Sequence, residues 1–430
     1  MSELNSILYK ISNQDVYIYT ELEVLDFTNV KTCKLFICTK DYEIEVPLDV
    51  DDIKFKQKIS YLQAFLASEN NFLFCWNLKN LYTYIKGRTG VDFNFNGRII
   101  DLYFFESYLG NNFNKPKSLI DFKNRLKVLS KDVLWEQVYN IYNCVYLSLI
   151  KNLSDIETTP LVHKVKKSKV YSYYEIDGQV NGRLKCSNYF KNCYNSHTLT
   201  FEEKSNLKPP LFDGSFISLD YKNMEVSVLQ WLSKDKYMLE LLETDDFYQS
   251  VWNILIPEVA CNPTHRKTCK EIFLPVFYGM GVDSLSKKIN WPINNVKKII
   301  NKIYNMFPTA MEWMIDQENS IKNNYAIDVF GRRRLFEESY KIRNFAIQSP
   351  ASLVCIDRLN KLKESLDTNV KVCMHIHDGY ILFCEKSNLE KSCLKAKNVL
   401  EETSNFYADL KLKTVCSVGR DLNDLTHVNI

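Results

Sequence analysis

Two short apolar segments that lead into aspartates constrain the fold of this chain more than any other feature. Residues 216–220, Phe-Ile-Ser-Leu-Asp, predict a buried strand with a carboxylate at its end, and residues 225–232 predict the helix that follows it. Residues 371–384 predict a hairpin of two apolar strands that turns at Asp378-Gly379. Taken singly, a strand-end aspartate is more often a helix cap, and an Asp-Gly pair is more often only a turn.

A cationic and aromatic stripe lies between these two segments. Beginning at His265, one face of a predicted helix carries, at four-residue intervals, Arg266, Lys270, Leu274 and Tyr278. Such a face suits a nucleoside triphosphate, because guanidinium and ammonium groups bind phosphates and a tyrosine ring packs against a base or sugar. An amphipathic surface helix would show the same spacing, so the stripe alone leaves both interpretations open.

Composition indicates a globular chain in a reducing compartment. The 430 residues are 46% hydrophobic and 25% charged, which is enough for two or three packed units. Thirteen cysteines without a C-x-x-C pair indicate reduced thiols in a cytoplasm, that of the host cell if the chain is viral. No apolar run approaches the roughly 18 residues of a membrane span, and the N-terminus lacks the pattern of a secretion signal.

The net charge and the positions of the histidines say less about function than the two aspartate segments do. The net charge is only +3, but basic residues cluster at 164–169, 297–298 and 332–334, so any contact with a polyanion would be regional. His375 and His377 share one face of a predicted strand, but the sequence shows no third ligand near them, which argues against a zinc site.

The chain divides into regions of different pattern. The first 110 or so residues alternate short apolar runs, at 34–38 and 72–76, with helical patterns, as an α/β unit would. Residues 115–150 become helical, and residues 151–182 are polar and basic, which predicts a linker or a small accessory element. A long helical region is predicted over about 236–325.

The order Asp220, then Arg266 to Tyr278, then Asp378 resembles motifs A, B and C of family A DNA polymerases. Residues 220–225, D-Y-K-N-M-E, are similar to the family's D-Y-S-Q-I-E. Residues 266–279 are similar to its R-x-x-x-K and Y-G, and His377-Asp378 to its H-D. Further matches are N-G-R-L at 181–184, G-R-R-R at 331–334, R-N-F-A-I-Q at 343–348 and the segment 419–427. The resemblance covers 183–430 continuously.

The resemblance implies an α+β fold, a right-hand polymerase with palm, fingers and a reduced thumb. Before it would come a degenerate α/β 3′–5′ exonuclease-like domain of the ribonuclease H-like type. The implied segments are 1–150 for the exonuclease-like domain, 151–182 for the reduced thumb or linker, and 183–430 for the polymerase domain. Within the last, the palm is 183–235 with 331–430, and the fingers are 236–330.

The same resemblance implies a template-directed DNA polymerase that adds dNTPs to a primer 3′-hydroxyl. Two Mg²⁺ ions, or Mn²⁺ in their place, would be held by Asp220, Asp378 and the backbone carbonyl of Tyr221. Glu225 matches the glutamate that crowds the ribose 2′ position. The implied dNTP-binding residues are Glu225, Tyr248, Arg266, Lys270, Leu274 and Tyr278. The implied primer–template contacts are Arg183, Asn344, Gln348 and His377.

Several positions depart from the family pattern. Gly379 stands where the family usually has a glutamate, which predicts altered metal affinity and slower turnover, but not inactivity. Leu274 replaces a Phe or Tyr, and Pro275 replaces a Gly and removes one amide donor. Tyr248 replaces a histidine that contacts phosphate.

The region before residue 150 resembles the family's exonuclease domain only faintly, and three of its four carboxylates are replaced. Asp26-Phe27-Thr28 lacks the glutamate of D-x-E, Leu81 stands for the aspartate of N-x-K-F-D, and Asn143 stands for the aspartate of Y-x-x-x-D, in which Tyr139 is the tyrosine. The sequence therefore predicts no proofreading.

Only 40 residues separate Asn143 from Arg183, fewer than in family members with a full thumb. The resemblance therefore implies a short thumb, low processivity and a phage-type enzyme with a processivity or replisome partner protein. Lys164 to Lys169 is either a remnant of the thumb's grip or a solvated loop. Two rivals stay open: a single-subunit RNA polymerase, against which Glu225 argues, and a non-catalytic DNA-binding scaffold.

Overall fold

The N-terminal part of the chain folds around a mixed sheet. The computed structural model describes residues 8–9, 15–26, 29–39, 43–47, 55–68, 72–89, 99–109, 114–176, 178–188, 193–211, 213–320, 325–336, 338 and 340–430. The sheet has the order β3-β2-β1-β4-β5. Its strands are β1 (Asp15–Asp26), β2 (Asn29–Cys38), β3 (Glu43–Pro47), β4 (Phe72–Cys75) and β5 (Ile99–Asp101). The accompanying helices are α1 (Phe55–Leu66), α2 (Leu78–Thr89) and α3 (Leu102–Tyr108).

This arrangement confirms the predicted α/β pattern. Strand β1 runs antiparallel to β2 and parallel to β4, and the predicted apolar runs fall in β2 and β4. Alternate residues of these strands, such as Val16, Ile18, Leu35 and Ile37, are buried in a core that α1 and α2 cover.

The helical pattern over 115–150 is also confirmed. It contains α4 (Leu119–Leu129), α5 (Trp135–Ile141), a π-helical turn (Tyr142–Tyr146) and α6 (Leu147–Thr158). Residue 150 lies inside α6, so this helix crosses the boundary implied between the first two segments. Near its end, Glu157 is wholly buried and binds Lys79 of α2 at 2.6 Å, which ties α6 to the N-terminal unit.

Within residues 151–182, the part after α6 contains paired strands and is an accessory element rather than a linker. Strands β6 (Leu161–His163) and β7 (Ser168–Ser172) form a hairpin in a small sheet of order β10-β7-β6-β11, with β10 (Cys193–Tyr194) and β11 (Leu207–Lys208). A separate pair joins β8 (Tyr174–Glu175) to β9 (Lys185–Cys186), and α7 (Phe201–Ser205) precedes β11. The linker alternative is therefore wrong, because backbone pairing and the buried Leu161 hold this segment in place.

The C-terminal sheet has the order β15-β16-β12-β17-β18. Its strands are β12 (Gly214–Lys222), β15 (Lys371–Ile376), β16 (Gly379–Glu385), β17 (Lys413–Gly419) and β18 (Thr426–Val428). Because side chains alternate along β12, Ile217, Leu219 and Tyr221 are buried in the main core, whereas Asp220 is on the opposite face. Helices α8 (Met224–Ser233), α15 (Tyr340–Ser365) and α16 (Leu389–Glu401) pack in that core.

The long helical region predicted over 236–325 is confirmed. It consists of α9 (Lys236–Leu242), α10 (Phe247–Leu255), α11 (Pro263–Phe277), α12 (Val282–Ile289), α13 (Ile293–Met306) and α14 (Pro308–Asn319), and it is followed by the paired strands β13 (Tyr325–Ile327) and β14 (Arg333–Leu335). Across the described ranges, no helix has the length and apolar character needed to cross a membrane.

The arginine run at 332–334, one of the three basic clusters in the sequence, is bound within the protein. Arg332 is fully buried, and its guanidinium donates to Ser349 Oγ at 2.8 Å and to the Tyr146 hydroxyl at 2.5 Å. Arg333 pairs with Asp132, and Arg334 donates to the carbonyl of Ser107. All three therefore bind the N-terminal half to α15 or β14 and are not available to a polyanion.

Candidate active site

The predicted hairpin is present, but its turn lies one residue earlier than expected. Ile376 of β15 pairs with Gly379 of β16, so the two turn residues are His377 and Asp378. His377 has a φ of 54°, in the left-handed region, and Gly379 already belongs to the strand. Asp378 is thereby presented at the tip of the hairpin.

Asp220 and Asp378 are brought together by the pairing of β12 with β16. Asp220 is in register with Gly379, the residue after Asp378. The backbone N–H of Tyr221 points at the Asp378 carbonyl, with 3.4 Å between N and O. The two carboxylates therefore lie side by side at the same end of the sheet.

Their electrostatics suit a cation. Burial, reinforced by Asp378, raises the pKa of Asp220 to about 6, and Lys270 opposes the rise. Burial likewise raises the pKa of Asp378, with Arg183 in opposition. In the part of the chain that the structure describes, neither carboxylate forms an ion pair. Two adjacent carboxylates without a counter-ion, beside the backbone of Tyr221, are a donor set that divalent magnesium or manganese favours.

Glu225 joins four segments that are distant in sequence. Its carboxylate accepts hydrogen bonds from Arg183 Nη2 at 2.9 Å and from Gln348 Nε2 at 3.0 Å, and it also accepts from the Tyr278 hydroxyl. Asn181 Nδ2 donates in turn to Gln348 Oε1 at 2.8 Å. The structure thus brings two expected dNTP contacts, Glu225 and Tyr278, together with two expected primer–template contacts, Arg183 and Gln348.

The expected helix face lines a cleft of about 1340 Å³. Lys270, Leu274 and Tyr278 of the α11 segment face Asn344 and Gln348 of α15 across it. Helix α11 continues past Pro275 to Phe277, and Tyr278 follows its last turn. Three of the four residues of the predicted stripe therefore line this cleft, and Arg266, one turn earlier in α11, does not.

Arg266 and Tyr248 lie at the other end of α11. Arg266 Nε donates to Asp246, the residue that caps α10, and its guanidinium sits 5.7 Å from the centre of the Tyr248 ring. Tyr248 is only 2% exposed and packs edge-on against Phe273. The Tyr248 ring therefore packs near the Arg266 guanidinium and does not line the cleft.

A third histidine accompanies the pair found in the sequence. The ring of His197 lies 4.6 Å from that of His377, and its Nε2 lies 3.2 Å from the His375 carbonyl oxygen. Burial lowers the pKa of His197 to about 4 and that of His375 to about 3, so both rings are neutral near pH 7. No group of three or more His, Cys, Asp or Glu side chains among the described residues is arranged to hold a metal.

The expected exonuclease positions are occupied by packing residues. Leu81 is 4% exposed and belongs to the N-terminal core. Asn143 Nδ2 donates to the Tyr139 carbonyl at 2.9 Å, within its own helix. The segment Asp26 to Thr28 lies outside the residues whose side chains the structure describes.

Comparison with known proteins agrees with this geometry. The model of the family described as DNA polymerase family A matches residues 118–424. The chain belongs to DNA polymerase family A. The match begins before Arg183, so family A similarity extends further toward the N-terminus than the motifs alone indicated.

The relatives are distant and longer. The chain is 23% identical over 415 residues to DNA polymerase I of Borreliella burgdorferi, which covers 89% of this chain and 44% of the relative. It is 26% identical over 222 residues to the thermostable DNA polymerase I of Thermus aquaticus (48% and 26% covered). It is 23% identical over 301 residues to the DNA polymerase of Bacillus phage SP01 (61% and 32%). The chain spans less than half the length of these relatives.

The fold is that of a solved family A polymerase domain. The structure superposes on the POL domain of Pol1 from M. smegmatis, in a complex with DNA primer-template and dNTP, with a TM-score of 0.81 and 11% sequence identity. The superposition covers 98% of both chains. The α+β, right-hand polymerase fold predicted from the motifs is confirmed.

Sequence reasoning missed three kinds of contact at this site. Asp246 could have been found as a helix cap before Tyr248, since Asp is a preferred N-cap residue. Asn181 belongs to the N-G-R-L segment at 181–184, but the sequence indicated no role for it. His197 and Tyr174 carry no local signal, because only the tertiary fold brings them to β15.

Proposed function

We propose that this family A chain is a template-directed DNA polymerase that adds dNTPs to a primer 3′-hydroxyl. The observation that carries the proposal is the juxtaposition of Asp220 and Asp378 beside a cleft lined by Lys270, Leu274 and Tyr278. A carboxylate pair beside a cationic helix face is the arrangement that a triphosphate with its metal ions requires.

Two Mg²⁺ ions, with Mn²⁺ as a substitute, would be held by Asp220, Asp378 and the backbone carbonyl of Tyr221. When bound, such ions lower the pKa of the attacking hydroxyl and neutralise charge on the phosphates. The fit rests on the donor set, because two carboxylates on neighbouring strands beside a backbone carbonyl offer the oxygen ligands that these ions prefer. The raised pKa of each aspartate agrees with it, since a divalent cation relieves the cost of keeping both groups ionised.

The triphosphate side of the site belongs to α11. Lys270 is exposed in the cleft and supplies an ammonium for the phosphates. Arg266 adds a guanidinium that Asp246 and the ring of Tyr248 orient. Leu274 and Tyr278 contact the sugar and base, and Glu225 excludes a ribose 2′-hydroxyl because Arg183, Gln348 and Tyr278 hold its carboxylate in place.

The primer–template terminus is assigned to Arg183, Asn344, Gln348 and His377. Arg183 and Gln348 donate to Glu225, Asn344 lines the cleft beside Gln348, and His377 belongs to the Asp378 turn, where a terminal base pair would meet the metals. Donors that reach the minor groove read acceptors that every correct pair presents, so binding would be independent of sequence.

The segment assignments accompany this proposal. Residues 1–150 are a degenerate exonuclease-like domain without proofreading, which Leu81 in the core and the helix-bound Asn143 support. Residues 151–182 stand in place of a thumb. Residues 183–430 hold the palm (183–235 and 331–430) and the fingers (236–330).

The tip of the β6–β7 hairpin is the proposed remnant of the thumb's grip on DNA. Lys166, Lys167 and Lys169 are exposed there, whereas Lys164 pairs with Asp421 at 2.6 Å. So small a DNA-binding element predicts low processivity and a processivity or replisome partner protein.

We assign the chain to phage-type replication in a host cytoplasm, supported by the likeness to the phage SP01 polymerase and by the free thiols of the described cysteines.

Primer extension with Mg²⁺ tests the assignment. On a primed DNA template, we expect extension with dNTPs and little with NTPs. Extension by NTPs alone would favour a single-subunit RNA polymerase, and no extension with either would favour a DNA-binding scaffold.

On a 3′-mismatched primer, we expect no excision, and release of the mismatched nucleotide would contradict the loss of proofreading. In a template-challenge assay, long products from a single encounter would refute low processivity.

A further inference from the structure

The strand that ends at the Asp378 turn lies at the edge of its sheet. β15 pairs with β16 on one side, and among the described residues no strand of the C-terminal sheet pairs with its other side. An edge strand leaves alternate backbone N–H and C=O groups without strand partners. In β15 these outward groups belong to Cys373 and His375. They lie four and two residues before His377, the first residue of the turn.

Tyr174 satisfies both outward groups of His375. Its hydroxyl donates to the His375 carbonyl at 3.1 Å and accepts from the His375 N–H at 2.9 Å. It also lies 3.0 Å from Ser196 Oγ, so its one proton and two lone pairs are all engaged. The side chain is fully buried, which fixes the hydroxyl against the edge of β15.

His197 makes a further contact with this edge and also contacts the turn itself. Its Nε2 donates to the same His375 carbonyl at 3.2 Å, and its ring packs on the ring of His377 with 4.6 Å between centres. A short 3₁₀ turn (Ser196–Thr198) carries His197, whose own N–H is capped by Asn195 Oδ1 at 3.0 Å.

The turn needs such support because His377 is in the left-handed region. A residue with a side chain is uncommon at a φ of 54°, so contacts around the turn favour this conformation over the alternatives. On one side of the turn, the pairing of β15 with β16 holds His377 in place. On the other side, His197 and Tyr174 are the contacts that the described residues provide at His375 and the ring of His377.

We propose that His197 and Tyr174 are positioning residues for Asp378: they hold the edge of β15 and the ring of His377 so that the turn keeps Asp378 beside Asp220. The inference rests on the proposed polymerase function. Neither side chain forms a hydrogen bond to the carboxylate, so their effect passes through the turn and reaches the metal ions only by way of Asp378.

The test compares His197→Ala, His197→Phe and Tyr174→Phe with the parent chain in single-turnover primer extension over a range of Mg²⁺ concentrations. For His197→Ala we expect turnover to fall at least about tenfold, since misplacement by about 1 Å can cost a hundredfold. The Mg²⁺ concentration for half-maximal rate should rise, with KM for dNTP within about twofold of the parent. His197→Phe keeps a ring against His377 and should recover part of the loss.

His427→Ala is the matched control. His427 Nδ1 also bonds a backbone carbonyl of the same sheet, that of Cys416 at 2.9 Å, but on the opposite edge. This variant should keep the parent's Mg²⁺ dependence. A His197→Ala protein with the parent's turnover and Mg²⁺ dependence would overturn the inference. So would a His197→Ala protein whose turnover and Mg²⁺ dependence both equal those of His427→Ala. If His197→Ala fails to fold, His197→Phe and Tyr174→Phe decide the matter by the same criteria.

Binding of Mn²⁺, measured by electron paramagnetic resonance, separates this inference from the proposed function. A parent that binds Mn²⁺ but extends no primer refutes the polymerase assignment alone, and weaker Mn²⁺ binding by His197→Ala then still supports the positioning role. Equal binding by parent and His197→Ala contradicts that role whether or not the parent is active.

Discussion

Asp220 and Gly379 stand directly opposite each other in β12 and β16, and Oδ1 of Asp220 fills the space in which a side chain at residue 379 would begin. A Cβ on Gly379 would lie 2.9 Å from that oxygen and 3.2 Å from the Leu219 carbonyl oxygen. Gly379 does not have a positive φ, so a side chain here would be opposed by crowding against the Asp220 carboxylate and not by backbone strain. A side chain at residue 379 would therefore shift the Asp220 carboxylate from the position it has in this chain.

Gly379→Ala should therefore lower turnover although the added group is only a methyl. The carboxylate of Asp220 would have to rotate away, and we expect a loss of about tenfold or more, as for other small displacements of reacting groups. Single-turnover extension at saturating dNTP measures it, with the melting temperature as a check on folding. A variant with the parent's rate and melting temperature would show that the contact has no catalytic consequence.

Glu225→Ala should weaken the preference for deoxynucleotides. The carboxylate is held by donors from three segments, so it is a rigid obstacle rather than a mobile one. The ratio of kcat/KM for dNTP to that for NTP should fall by about tenfold or more, because removing a fixed exclusion is worth about 1–3 kcal/mol. Tyr278→Phe, which removes one of the donors, should give a smaller change. An unchanged ratio in Glu225→Ala would show that another group selects the sugar.

Sequence reasoning reached the elements that local pattern determines. The alternation over 216–220 and the four-residue repeat from Arg266 specify a strand and a helix face by themselves, and both are present. The register of the hairpin was misjudged by one residue, because a preferred Asp-Gly turn competes with close packing against Asp220. The inward direction of Arg332 could not be read from the sequence, since it depends on Ser349 and Tyr146, which only the fold brings near.

Arg332→Met should destabilise the whole chain. It removes the buried guanidinium that lies 3.8 Å from Asp328 and leaves that acid without a counter-charge. Breaking a buried pair in this way costs about 3–5 kcal/mol, which urea unfolding measures. Arg333→Met, which breaks the more exposed pair with Asp132, should cost about 1 kcal/mol or less. Equal losses in the two variants would contradict the structural role assigned to Arg332.

Asp101 gives the N-terminal unit a defined pH dependence. Burial raises the pKa of this carboxyl to about 6, although the N–H groups of Asn77, Leu78 and Tyr103 favour its ionised form. Because the folded-state pKa exceeds the unfolded one, the folded chain binds more protons between them. The stability that Asp101 contributes is complete below about pH 4 and is lost as the pH rises through 6.

The comparison of parent with Asp101→Asn isolates this effect. Between pH 5 and pH 7 the free energy of unfolding of the parent should fall by roughly 1.4 kcal/mol more than that of the variant. Urea unfolding at the two pH values gives both differences. A parent and variant with the same pH dependence would show that Asp101 does not titrate in this range.

The most direct test of the central assignment is primer extension by the parent beside Asp220→Asn and Asp378→Asn, with Mg²⁺, dNTPs and a matched primer. Each substitution keeps the shape of the side chain and removes its charge. We expect extension by the parent and a loss of roughly a thousandfold or more in each variant, the scale on which removal of a principal electrostatic contact slows catalysis. Extension by either variant at the parent's rate would contradict the assignment of Asp220 and Asp378 as the catalytic pair.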